Sequence, residues 1–120
     1  MKILIVDDSK AMRMIVRRNL RQSGHGDSEV VEAANGREAL EAVHEHGPEL
    51  ILSDWNMPEM TGIELLRALR AEGTTTTFGF VTSEGTPEMR SLAAEAGAAF
   101  LIAKPFTAND FAEQLMAISA

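Results

Sequence analysis

Five short apolar runs punctuate the chain, at Ile3–Val6, around Val30–Val31, at Leu50–Leu52, at Phe78–Val81 and at Phe100–Ala103. The first and third are solidly aliphatic, the pattern of a parallel strand covered by helices on both faces. Between the runs, apolar positions recur at helical spacing. Residues 11–22 set Met12, Ile15, Val16 and Leu20 on one face. Residues 37–46 follow the Asn35-Gly36 turn and stop at Gly47-Pro48. Residues 62–72 run as "GIELLRALRAE" into Gly73. Residues 87–96 open on Pro87, suited to a first helical turn, and stop at Gly97. A last helix starts near Thr107 and turns Phe111, Leu115 and Ile118 inward.

Strict alternation of five strands with five helices predicts an α/β fold, a (βα)5 arrangement around a parallel sheet with right-handed crossovers. The sheet is expected to be open and doubly wound, since a closed barrel normally takes far more residues. No linker, repeat or second domain interrupts the 120 residues, so residues 1–120 are read as one domain. The "TTTT" run at 74–77 is a loop.

Composition narrows the class. Apolar residues make up 45% of the chain, enough for a real core. A net charge of −7 argues against nucleic acid as partner, because a phosphate backbone demands a basic surface. No apolar run is long enough to span a bilayer. The opening "MKILIVDD" has neither the apolar core nor the small-residue cleavage site of a secretion signal. The lack of cysteine excludes disulfides and thiolate metal sites and is compatible with the cytoplasm.

In an open parallel sheet, ligands gather beyond the carboxyl ends of the strands. Strand one ends at Asp7-Asp8, strand three at Asp54, strand four at Thr82-Ser83-Glu84 and strand five at Lys104-Pro105. Each alone has a plain explanation in capping or a turn. Together they bring three carboxylates, a hydroxyl and an ammonium to one edge. A like-charge pair at about 4 Å costs roughly 1 kcal/mol in water and about 4 at an effective dielectric near 20. Such a group calls for a cation, and oxygen ligands without His or Cys select Mg²⁺. Mg²⁺ held by few carboxylates recruits phosphate oxygens, which points to phosphoryl chemistry. Asp54 is the available nucleophile, able to form an acyl phosphate, with Mg²⁺, Lys104 and the Thr82 hydroxyl to neutralise the phosphoryl oxygens. Neither "GxxxxGK[ST]" nor "GxGxxG" occurs, so nucleotide and dinucleotide sites lack support.

"ILIVDDS", "ILSDWNMPEMTG", "VTSE" and "AGAAFLIAKPFT", spread over the whole chain at matching spacings, resemble the receiver domain of two-component response regulators. "SDWNMP" is further similar to the single-domain chemotaxis regulators of that family. The resemblance implies a flavodoxin-like sheet in the order 2-1-3-4-5 and a phosphorylation-activated signalling switch rather than an enzyme with a separate substrate. It implies Asp54 as phosphoacceptor, Asp7, Asp8, Asp54 and the main-chain carbonyl of Asn56 as Mg²⁺ ligands, Thr82 as switch hydroxyl and Lys104 as partner of the phosphoryl group. Pro105 would follow a cis peptide bond. Asn56 and Glu84 occupy positions that tune hydrolysis of the acyl phosphate, and Ser83 leaves water access open. Where the family often carries an aromatic switch residue, this chain has Leu101, with Phe100 on the opposite side of the strand. The output is therefore expected to come from the 83–87 loop and the fourth helix. The implied partners are a histidine kinase or phosphotransfer protein and a downstream protein such as the flagellar motor switch, met by a cytoplasmic monomer without nucleic acid or membrane insertion.

Two alternatives stay open at this level. One is a receiver cut from a longer regulator with a DNA-binding or enzymatic output. The other is an aspartyl-phosphate phosphatase, although such enzymes want an aspartate where this chain has Asn56. Arg13, Arg17 and Arg21 also repeat at four-residue spacing, read either as a solvated face or as a docking stripe for an acidic partner.

Overall fold

The computed structural model describes residues 1–119, with side chains as far as Ala117. Strands β1 (Lys2–Val6), β2 (Glu29–Ala33), β3 (Leu50–Ser53), β4 (Thr77–Thr82) and β5 (Phe100–Ala103) alternate with helices α1 (Lys10–Leu20), α2 (Gly36–His46), α3 (Gly62–Ala71), α4 (Pro87–Ala96) and α5 (Ala108–Ser119). All four strand pairings are parallel, in the order β2-β1-β3-β4-β5. This is the doubly wound sheet, and the strand order, expected from the sequence.

Pleating sends successive side chains to opposite faces, and the core divides accordingly. Ile3, Ile5, Leu50, Leu52, Val81, Phe100 and Ile102 join Val16 and Leu20 of α1 and Phe111 and Leu115 of α5. Leu4, Val6, Ile51, Phe78, Phe80 and Leu101 join residues of α2, α3 and α4 on the other face. Phe100 and Leu101 thus lie on opposite faces, as their adjacency in a strand requires. Four-residue spacing of Met12, Val16 and Leu20 fills the contact between α1 and the sheet. Ile15, expected on that face, stands at its border and is 38% exposed. The predicted inward turn of Ile118 lies outside the described side chains.

Local chemistry starts and stops the helices where the strands need them. The side chains of Ser9, Asn35, Thr61 and Thr86 accept from the backbone N–H three residues on, satisfying an otherwise orphaned donor in each case. Thr61 and Glu64 form a reciprocal capping box. At the far end of α4, Gly97 takes the left-handed conformation that favours glycine (φ 102°). The turn Arg21–His25 that follows α1 is kinked at Gly24, whose φ of 97° is left-handed, so the helical run breaks close to the end predicted near residue 22. Among the described residues no helix is long and apolar enough to cross a membrane.

Gly79 sits opposite Phe100 in the β4–β5 register, and the ring occupies the space where a Cβ would stand. Gly79→Ala is therefore expected to lower the unfolding free energy by about 1 to 3 kcal/mol, the usual cost of overpacking. Urea denaturation measures it, and a midpoint equal to wild type would show that Phe100 moves aside freely.

Candidate functional site

The parallel ladder continues one residue past its strands. Asp54 N donates to Val6 O (2.9 Å), and Asp7 N donates to Ala33 O (3.1 Å). These bonds hold the residues after β1 and β3 side by side at the carboxyl edge. Carboxylate oxygens of Asp7, Asp8 and Asp54 lie within 4.8 Å of one another. Asp7 is buried, Asp54 partly buried and Asp8 exposed. From the end of β5, Lys104 Nζ reaches 3.4 Å from Asp7 Oδ2 and 3.7 Å from Asp54 Oδ2. One ammonium is therefore shared by two of the three carboxylates.

Backbone donors orient the acids. Ser9 N donates to Asp7 Oδ1 (2.9 Å) and Trp55 N to Asp54 Oδ1 (2.7 Å). Burial pushes the Asp54 carboxyl above its ordinary range. Lys104 opposes that rise, Asp7 reinforces it, the Trp55 amide opposes it and Asp8 adds to it, leaving the pKa raised. The donor set consists of oxygens and the arrangement has a net negative charge, which fits a hard divalent cation.

The floor beneath Asp54 is aromatic and tight. Trp55 packs on Phe80 with ring centroids 4.7 Å apart. Gly62, the last residue of the motif "DWNMPEMTG", donates its N–H to Trp55 O (2.8 Å). A Cβ at Gly62 would overlap the Asp54 carbonyl and come within 2.8 Å of the Phe80 ring. Only glycine lets α3 start this close to the Asp54 main chain.

The other expected residues form a rim of different kinds. Thr82 is fully buried at the end of β4, and its hydroxyl accepts from Glu84 N (3.3 Å). Asn56, Ser83, Glu84 and Pro105 are exposed around the cluster, and the Lys104–Pro105 peptide is cis. Leu101 is 8% exposed and belongs to the core beneath α4, not to the acidic cluster.

Two arginines of the α1 stripe, Arg13 and Arg17, share an acid on β2, while Arg21 stays exposed. Arg13 Nε and Arg17 Nη1 grip opposite oxygens of Glu32 on β2 (2.8 and 2.7 Å), and Arg13 Nη1 donates to the Asp7 carbonyl (2.6 Å). Burial works to raise the Glu32 carboxyl, but its hydrogen bonds to Arg17 and Arg13 outweigh it and hold the pKa low. The four-residue spacing of the arginines marked a helix face. The acid they share lies on an edge strand and carried no signal of its own.

The sequence matches the family described as "Response regulator receiver domain" over residues 3–116. It is 41% identical over 117 residues to the chemotaxis protein CheY of Pseudomonas aeruginosa, covering 96% of this chain and 93% of that one. It is 40% identical over 118 residues to a CheY homolog of Campylobacter jejuni, covering 96% and 89%. The fold superposes on Vibrio cholerae chemotaxis protein CheY4 with a TM-score of 0.85 at 35% identity, covering 98% of this chain and 97% of the other. The signal receiver domain of NarL from Mycobacterium tuberculosis gives 0.87 at 28% identity, covering 98% and 94%.

A carboxyl whose pKa is raised on folding binds its proton more tightly in the native state, so its contribution to stability falls as pH rises through that range. Asp54→Asn removes this unfavourable charge. In EDTA at neutral pH the variant is expected to be more stable than wild type by about 1 kcal/mol, a surface-level figure because the carboxylate reaches solvent and Lys104 offsets part of the repulsion. The gain should vanish as the pH falls below the ordinary aspartate range. Denaturant midpoints at the two pH values check both statements, and equal midpoints at neutral pH would mean that Asp54 feels no net repulsion.

Proposed function

The chain belongs to the response regulator receiver domain family, and from that premise we propose that Asp54 accepts a phosphoryl group from the phosphohistidine of a kinase or phosphotransfer protein. The observation that carries the reading is a partly buried carboxylate at the end of a central strand, flanked by Asp7 and Asp8 and 3.7 Å from Lys104. One Asp54 carboxylate oxygen attacks phosphorus in line, the P–N bond breaks, and the departing imidazole keeps the electron pair. The product is an acyl phosphate on Asp54. Lys104 supplies fixed positive charge for the phosphoryl oxygens, and Thr82 offers its hydroxyl from the neighbouring strand end.

Asp7, Asp8, Asp54 and the Asn56 main-chain carbonyl are the residues we assign to Mg²⁺. When bound, the ion would offset the like charge of the three acids and that of the incoming phosphoryl oxygens. Hydrolysis later breaks the bond between phosphorus and the carboxylate oxygen as water attacks phosphorus, returning free Asp54 and inorganic phosphate. Asn56 and Glu84 are exposed beside the path water would take, and Ser83 is small enough to leave it open.

The likeness to proteins named for chemotaxis supports a chemotaxis role, with a downstream protein such as the flagellar motor switch as target. We read residues 1–120 as one receiver domain, working as a cytoplasmic monomer whose output is a changed binding surface on α4, β5 and α5. A phosphatase acting on separate substrates is not favoured, because Asn56 stands where such an enzyme would need an acid.

Incubation with acetyl phosphate and Mg²⁺ is expected to add one phosphoryl group, detected by intact-protein mass spectrometry, and none in Asp54→Asn. Normal labelling of the variant would move the acceptor elsewhere. Once labelled, Asn56→Arg and Glu84→Leu should each change the decay rate of the acyl phosphate, on the order of tenfold for a displaced or reoriented water. Decay indifferent to both would remove these residues from the hydrolytic path.

A further inference from the structure

Helix α4 is the most weakly anchored of the covering helices whose capping and burial are fully described. Its sequence, "PEMRSLAAEA", is rich in small residues, and Ala93 alone is fully buried. Leu92 is 40% exposed. Small side chains reach little of the sheet, so apolar burial holds this helix less firmly than it holds α3, where Ile63, Leu65, Leu66 and Leu69 are all buried. Met89 and Ala96 add partial burial against the same core, and a polar bridge supplements it.

Arg90 supplies that bridge. Its guanidinium donates from Nε to Gly85 O (3.3 Å) and from Nη1 to Leu101 O (3.2 Å). One planar fork thereby ties three parts together: the loop leaving β4, the first turns of α4, and strand β5. The packing is close, since a Cβ at Gly85 would lie 3.2 Å from Arg90 Nη2, 3.1 Å from Ala103 Cβ and 3.6 Å from a Leu101 methyl. Open space adjoins the bridge. A groove of about 350 Å³ toward α5 and a hollow of about 100 Å³ beneath α4 are both lined by Arg90 and Leu101. The bridge therefore stands where neighbouring parts have room to shift.

It also continues from the candidate site by direct bonds. The Thr82 hydroxyl accepts from Glu84 N, Glu84 is followed by Gly85, and Gly85 O accepts from Arg90. If the Thr82 hydroxyl turned toward a phosphoryl oxygen, the Glu84 amide would lose its acceptor, and the loop would be free to draw on the Arg90 fork. We propose that Arg90 is a positioning residue that fastens the 83–86 loop and α4 to β5, and so transmits rearrangement at Thr82 to the α4–β5–α5 surface. The free-state part stands on geometry alone. The transmission part rests on the phosphoryl-acceptor reading above.

Two variants separate hydrogen bonding from packing and charge. Arg90→Met keeps an unbranched stem without donors, and Arg90→Lys keeps the charge without the planar fork. Hydrogen exchange by NMR follows the Met89 and Arg90 amides, which close the first turn of α4 on Thr86. In the free protein, Arg90→Met is expected to speed their exchange roughly tenfold, as the loss of two modest hydrogen bonds allows, with β1 and β3 unchanged. Arg90→Lys should recover only part of that protection. Wild-type exchange in Arg90→Met, or full recovery in Arg90→Lys, would overturn the bridge.

With Mg²⁺ and beryllofluoride as phosphoryl mimic, wild-type shift changes should run from residues 53–57 through 82–86 into α4. In Arg90→Met they should stop at the loop. Equal propagation in both proteins would overturn transmission through Arg90. If beryllofluoride leaves residues 53–57 unmoved in every version, the acceptor reading fails and transmission falls with it, while the exchange data decide the bridge on their own.

Discussion

Repulsion among Asp7, Asp8 and Asp54 is the constraint on which the arrangement of this protein turns. Three acids at one sheet edge would relax apart if their backbones allowed it. Parallel pairing forbids that: Val6 O and Ala33 O hold the amides of Asp54 and Asp7, so the carboxylates stay together whatever their charge. The pairing is in turn fixed by which side chains face which helix layer, since a one-residue slip of β3 would exchange Leu50 and Leu52 with Ile51 and Ser53 across the sheet. Core packing thus enforces an electrostatically unfavourable cluster, and Lys104 relieves only part of it.

The tight floor extends the same logic. Trp55 leaves the strand end and packs on Phe80, and α3 begins at Gly62 against the Asp54 carbonyl. The carboxylate we propose as the nucleophile toward phosphorus is thereby mounted on backbone and aromatic contacts that leave its main chain little freedom. On the opposite flank, Arg13 ties α1 to the Asp7 carbonyl and to Glu32. The acids are set from several elements at once, which is why single residues around them look unremarkable taken alone.

Much of this was legible beforehand because it follows from periodicity. Alternation of apolar runs with helical faces yields a parallel sheet, and a parallel sheet collects its strand ends, so Asp7, Asp8, Asp54, Thr82 and Lys104 could be grouped before any coordinates. Position along a helix was harder to read. Ile15 belonged to the apolar stripe by spacing but fell at its border, because Met12, Val16 and Leu20 already filled the contact. Long-range polar pairs were not readable at all. Nothing in "EVVEA" announces that Glu32 is clamped by two arginines, and nothing in "PEMRS" announces that Arg90 spans two carbonyls, because such bonds depend on where the chain returns rather than on local pattern.

Strand β2 is one of the two sheet margins, and half of its backbone hydrogen-bonding groups look away from β1. An open strand margin is a template on which another chain can add, and apolar ones seed aggregates. Here Glu29 and Glu32 are exposed along it, and the arginine clamp keeps Glu32 ionised and fixed. The clamp that steadies Asp7 therefore also fixes charge along the sheet's rim, the kind of feature that disfavours edge-to-edge pairing of strands.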